Sequence, residues 1–126
     1  MNHLIALYHG SIRDNTFYFH PIINGQRVQN IVLDTGAFEL ALNPQVARQL
    51  GLPNLGPIQI SGVGGSANAY ASRCDIRMWK HLYRNVPCLV DPTLTEQGLF
   101  GLRFFIDNHL RFTLDPTKGT FAIREA

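Results

Sequence analysis

The sequence predicts an all-β fold, a closed β-barrel-like arrangement with one or two short helices. Three observations predict it. Short runs of β-branched and aromatic residues recur along the 126 residues. Turn-forming clusters separate them at close intervals. Only residues 44–50 and 102–107 read as helix.

In chain order, residues 4–8 suit a short strand, and 11–15 are polar and turn-like. Residues 16–23 are aromatic and β-branched, hence a strand, with Pro21 favouring an edge or bulge. Asn24-Gly25 is a strong two-residue hairpin signal, and 27–33 is the return strand. Its apolar end, Ile31-Val32-Leu33, runs straight into Asp34-Thr35-Gly36-Ala37. Residues 38–42 read as another strand. Asn43 then suits an N-cap, Pro44 the first helical position and Gly51 the stop, giving a helix over 44–50 with Val46 and Leu50 on one face. A strand at 57–61 leads to the glycine-rich tip Gly62-Val63-Gly64-Gly65. Residues 67–79 form a long strand region, 80–81 turn the chain, and 82–90 return. After a polar loop at 91–98 come a short apolar strand, Leu99-Phe100, ending at Gly101, and the helix over 102–107. Strands at 109–114 and 120–123 close a hairpin around 115–119.

Length corresponds to one domain, 1–126, with 1–14 standing apart as an N-terminal extension or an interface strand. Apolar residues make up 45% and charged residues 16%, with 11 glycines and 7 prolines. Such a lightly charged, turn-rich chain suggests extensive contact surface, including a dimer interface. Net charge is +2 without a run of Lys or Arg, so nucleic acid is a poor partner. No apolar stretch approaches the ~20 residues that span a bilayer, and residues 1–10 do not read as a signal peptide. A cytoplasmic location is expected, with a periplasmic or membrane-tethered form open if the chain is a piece of a longer one. The five histidines show no metal-ligand spacing, so no metal or organic cofactor is expected. Cys74 and Cys88 are expected as free thiols on two arms of one hairpin. A two-residue turn at Lys80-His81 would leave them one residue out of register on opposite faces, and a three-residue loop centred on His81 would set them directly opposite.

An apolar strand that delivers a carboxylate onto a tight turn is costly, because burying an ion without partners costs several kcal/mol. Such an acid usually has a job or a firm partner, although Asp and Gly are also ordinary turn residues. Asp14, Asp75, Asp91, Asp107 and Asp115 lack this context and read as surface acids.

Asp34 to Ala37, then Gly62 to Gly65, then Leu99-Phe100-Gly101 stand in an order that resembles the single-domain, retroviral-type (retropepsin-like) aspartic proteases. The resemblance spans about residues 17–123. It implies an acid-protease fold, a homodimer, and Asp34, Thr35 and Gly36 as the catalytic loop. It also implies a flap at Gly62, Val63, Gly64 and Gly65, and Leu99, Phe100 and Gly101 packed in support of the loop. Thr35 would hydrogen-bond across the twofold axis. Ala37 and Phe38 would border the substrate groove. Viral members usually carry an Asp soon after the Ala and often an Arg after the later Gly, and these pair across the dimer. Here the positions hold Phe38-Glu39 and Leu102, and Glu39 with Arg103 is the candidate replacement.

The chemistry explains the residue types. Two carboxyl groups held close cannot both ionise, so they share a proton. One then takes a proton from water while the other polarises the carbonyl. The chain has one Asp-Thr-Gly, so the second carboxylate must come from a second copy. The expected function is an aspartic endopeptidase with an acid-leaning optimum, acting on an extended peptide or protein substrate. The alternative is a non-catalytic dimeric peptide-binding module of the same fold.

Overall fold

The computed structural model describes residues 3–59 and 68–126. These form thirteen strands and two short helices. In order they are β1 (Leu4–His9), β2 (Ser11–Arg13), β3 (Thr16–Phe19), β4 (Ile22–Ile23), β5 (Gln26–Arg27), β6 (Ile31–Leu33), β7 (Leu40–Leu42), α1 (Pro44–Leu50), β8 (Pro57–Ile58), β9 (Ala69–Met78), β10 (His81–Val90), β11 (Gly98–Phe100), α2 (Arg103–Asp107), β12 (Leu110–Asp115) and β13 (Thr120–Glu125). The all-β expectation with two brief helices therefore holds.

Two sheets result. The larger runs β2-β3-β6-β11-β7-β10-β9-β4-β5, with β8 added on β9. The smaller is β1-β13-β12. Residues 3–14 are thus mostly extended. β1 lies antiparallel to β13, with Leu7 opposite Ala122.

Local chemistry accounts for the departures from the expected elements. Residues 11–15 are half of a hairpin rather than a loop. Asp14 and Asn15 both adopt positive φ, 51° and 61°, and Arg13 pairs with Thr16. Two such residues suit the type I′ turn that matches strand twist. The expected strand 16–23 breaks at His20-Pro21. Proline cannot donate to a ladder, and its carbonyl instead accepts Val28 N–H at 2.9 Å. The chain there passes from β6, paired with β3, to β9, paired with β4. The return strand 27–33 is interrupted by Asn30 at φ 57°. The Asn24-Gly25 turn forms as expected, joining Ile23 to Gln26.

Helix α1 occupies the expected residues. Asn43 Oδ1 accepts Val46 N–H at 2.8 Å, a cap worth about 1 kcal/mol. Gly51 ends the helix at φ 68°. Val46, Ala47 and Leu50 face the core.

The β9–β10 hairpin corrects the expected turn. It turns at Trp79-Lys80, with Met78 opposite His81. A bulge then falls between Tyr83 and Val86, where Asn85 has φ 55° and its N–H reaches Asp75 Oδ1 at 3.0 Å. Neither anticipated register occurs. Cys74 opposes Val86 and Cys88 opposes Ser72. The cysteines are therefore diagonal neighbours on one face, buried and free.

The core is aromatic where the two sheets meet. Phe19, Phe100 and Phe121 are fully buried. Phe19 lies 5.6 Å from Phe100 and 5.2 Å from Phe121, centroid to centroid. Burying each such ring contributes about 1.5–3 kcal/mol. Phe17, Phe104 and Phe105 are buried too, whereas Trp79 is exposed at its turn.

Candidate active site

β11 organises the site. It lies parallel to β6, with Phe100 beside Leu33, and antiparallel to β7, with Phe100 beside Leu40. The six residues between those strands, 34–39, must therefore loop out over its end. Asp34 begins that loop and is tied down at once, its N–H donating to Phe100 C=O at 3.1 Å. Ala37 N–H closes the turn on Asp34 C=O at 3.2 Å.

Asp34 is half-buried, and Thr35 and Gly36 are exposed. Gly36 N–H donates to Asp34 Oδ1 at 3.0 Å, a charge-assisted bond that orients the carboxylate. A Cβ at Gly36 would lie 3.3 Å from that oxygen, so glycine keeps the amide close.

The second half of the loop is held from the chain after β11. Gly101, Leu102 and Arg103 donate their N–H groups to Glu39, Ala37 and Phe38 C=O at 3.1, 3.0 and 2.7 Å. This explains why 38–39 are not strand, as the sequence suggested. Their carbonyls serve the start of α2 instead of a ladder. Gly101 permits the approach, because a Cβ there would meet Glu39 O at 2.5 Å and Phe38 C at 2.6 Å. Leu99, Phe100 and Gly101 thus lie directly behind the Asp34 loop.

Arg103 Nη1 bonds both carboxylate oxygens of Glu39, at 2.9 and 3.1 Å. The pair that sequence reasoning offered as a cross-dimer contact is made within one chain. Arg103 also contacts Asp107 at 3.3 Å and lies 5.8 Å from the Phe38 ring centre. The Glu39 carboxylate holds the guanidinium's pKa above its usual value. Phe38 is 56% exposed at the rim.

Two concavities flank the loop. One contains Asp34 and Thr35 together with Thr16, Phe17, Val32 and Leu114. The other, of about 350 Å³, runs from Glu39 and Arg103 past Ile58 to Ala71, Pro87 and Leu89. Sequence reasoning missed Leu114 and the β8–β10 wall. Leu114 is more than seventy residues from the motif, and no local signal links them. Gly62, Val63, Gly64 and Gly65, the expected flap tip, lie outside the described residues.

Asp75, Asp91, Asp107 and Asp115 have structural partners. Asp75 caps the bulge at Asn85. Asp91 accepts Thr93 N–H and Oγ1–H at 2.9 and 2.6 Å. Asp115 accepts Thr117 Oγ1–H at 2.6 Å, and Asp107 meets Arg103. Among the described residues, no group of three or more His, Cys, Asp or Glu could hold a metal ion.

The model of the gag-polyprotein putative aspartyl protease family matches residues 20–107. The chain belongs to that family. The matched span contains both the Asp34 loop and β11, and it leaves the β1-β13-β12 sheet outside. Among solved structures, this family member resembles a retropepsin-like aspartic protease from Rickettsia conorii, with TM-score 0.69 and 19% identity over 99% of this chain and 94% of that one. It resembles EIAV protease complexed with the inhibitor HBY-793, with TM-score 0.64 and 20% identity over 77% and 91%. The retroviral protease-like domain of Ddi1 from Leishmania major follows at TM-score 0.53 and 14% identity over 76% and 79%. These likenesses establish a retropepsin-like fold. No curated protein sequence matches the chain. Among the described residues, no helix is long and apolar enough to cross a membrane.

Proposed function

We propose that this retropepsin-like aspartic protease is an endopeptidase that works as a homodimer, with one Asp34 from each copy. One observation carries the reading. Asp34 is presented half-exposed at the end of β6, its Oδ1 oriented by Gly36 N–H, on a loop fixed from behind by β11 and Gly101.

One such carboxylate can accept a proton but cannot also donate one. Two of them across a twofold axis share a single proton because like charges held close resist double ionisation. The ionised member removes a proton from water, and the protonated member polarises the scissile carbonyl. The tetrahedral intermediate then collapses as a proton passes to the leaving amine. Gly36 N–H orients the carboxylate. Thr35, next to Asp34, bonds across the axis in this reading. Phe38 and Ala37 border an extended substrate.

Peptide cleavage between about pH 4 and 7 by the wild type and by Asp34→Asn tests this. The variant keeps an oxygen for Gly36 N–H, so the fold should survive, with cleavage lower by about 10³-fold or more. Cleavage that persists in Asp34→Asn sinks the mechanism. Tight peptide binding with no cleavage by the wild type favours the binding-module alternative.

A further inference from the structure

The β9–β10 hairpin carries a patch that the active site does not use. It turns through Trp79-Lys80, both exposed. Trp79, the chain's one tryptophan, is 51% exposed and sits at φ 53°. A bulky side chain at positive φ is strained, and glycine, asparagine or aspartate is the ordinary occupant of such a turn. Strain held on an exposed indole points to use.

Register extends the patch along the sheet. Arg27 lies opposite Ile22, Ile22 opposite Arg77, and Arg77 opposite Leu82. Directly opposed residues share a face, so these four make one row beside the turn, with Arg27, Arg77 and Leu82 exposed. Arg84, two residues past Leu82 and also exposed, continues that face. Residues 76–90 contain no acid. Among the described residues, Arg27, Arg77, Lys80 and Arg84 make no ion pair. Asp75, two residues before Arg77, is occupied by Asn85 N–H. Asp107 shares a small cavity with Arg84 but is held by Arg103. On a chain of net charge +2, four unpaired cations thus gather around an exposed tryptophan and leucine.

We propose that this patch is a peripheral membrane anchor for anionic phospholipid, with Trp79 and Leu82 entering the headgroup boundary and the four cations meeting phosphates. Tryptophan beside Lys and Arg suits that boundary, apolar on one side and wet on the other. Each cation near an anionic surface adds to the hold. Other occupants fit less well. A second copy meeting the patch about a twofold axis would set these cations against their own counterparts. An acidic peptide is taken up in a groove or along a free strand edge, whereas Trp79 and Lys80 form the outward turn of a hairpin. The anchor also leaves the substrate groove free. Leu89, which lines the concavity beside Glu39 and Arg103, lies roughly 25 Å along β10 from the turn.

Fluorescence of the full chain tests the anchor, because all tryptophan emission comes from Trp79. With vesicles of phosphatidylglycerol and phosphatidylcholine at low salt, emission should shift to shorter wavelength and the protein should co-sediment. Raised salt should release it. Vesicles of phosphatidylcholine alone should do neither. The double variant Arg77→Gln, Lys80→Gln should lower the partition coefficient by about tenfold or more, and Trp79→Ala should lower co-sedimentation several-fold, each checked for fold by circular dichroism. Unshifted emission with the anionic vesicles, or variants that bind as the wild type does, overturns the proposal. An equal shift with dissolved polyglutamate or heparin overturns it in favour of an acidic macromolecule. A wild-type dimer that Trp79→Ala dissociates in sedimentation overturns it in favour of a contact between copies.

Discussion

Arg103 and Glu39 form a two-pronged ion pair inside one chain, the guanidinium Nη1 lying 2.9 and 3.1 Å from the two carboxylate oxygens. The pair joins the start of α2 to the end of the Asp34 loop, beside three backbone bonds that do the same. Both side chains keep solvent access, 36% and 24%. Their coupling should therefore be small, about 0.5–1 kcal/mol. Urea melts of Glu39→Gln, Arg103→Gln and the double variant measure it. A coupling of zero would show that the backbone bonds alone hold the loop.

Gly101→Ala should be far more damaging. Its new Cβ meets backbone atoms of Phe38 and Glu39, which cannot swing aside as a side-chain end could. We expect a loss of about 1–3 kcal/mol and a displaced 37–39 loop. Peptide cleavage should fall by more than the stability loss explains. A variant with wild-type melting temperature would refute the close approach.

Tyr8→Phe should stabilise the protein. The Tyr8 ring packs on Phe19 at 5.3 Å, but its buried hydroxyl finds no hydrogen-bond partner among the described residues. Burial, reinforced by Tyr83, pushes its pKa up to about 12. Removing an unpaired buried hydroxyl should raise stability by about 1 kcal/mol, read as an upward shift of a few degrees in melting temperature. A lower melting temperature would mean that the hydroxyl has a partner.

Stability should fall on the acid side of neutrality through His20. Burial, then Arg27 and Arg13, lower its pKa below the ordinary 6.5, and its neutral Nδ1 accepts Asn30 N–H at 3.3 Å. The unfolded chain thus binds the proton more readily. The His20 contribution is complete above about pH 6.5 and is lost as pH falls toward the folded value. Melting temperatures at pH 7.5 and 5.5 should drop more for wild type than for His20→Gln. Equal drops would remove His20 from the account.

Much of this was legible in local sequence. Asn43, Pro44 and Gly51 delimit α1 because capping is a short-range matter, and Asn24-Gly25 marks its hairpin for the same reason. The strand before Asp34 and the strand at Leu99-Phe100 were visible as apolar runs. Their adjacency was supplied only by resemblance, since pairing between residues 31–33 and 98–100 has no local signature. Residues 11–15 were legible as turn-like, but the two-residue Asp14-Asn15 turn that leaves 11–13 as a strand was not, because neither residue is glycine, yet both accept positive φ. The cysteine register failed because the chain turns at Trp79-Lys80, earlier than expected, and the bulge at Asn85 then shifts the pairing again. Glu39 and Arg103 were paired correctly by charge but assigned to the wrong chain, because sequence does not say which copy supplies a partner.

β11 has one more consequence, for the order of events during synthesis. Asp34 emerges from the ribosome long before residues 100–103, yet four of the backbone bonds that hold its loop wait for those residues to arrive. Closing such a distant contact is slow compared with forming local turns. A nascent chain that stops short of Gly98 carries the whole Asp-Thr-Gly motif without the bonds that hold its loop from behind. The ordered Asp34 loop is thereby withheld until most of its own polypeptide has been made.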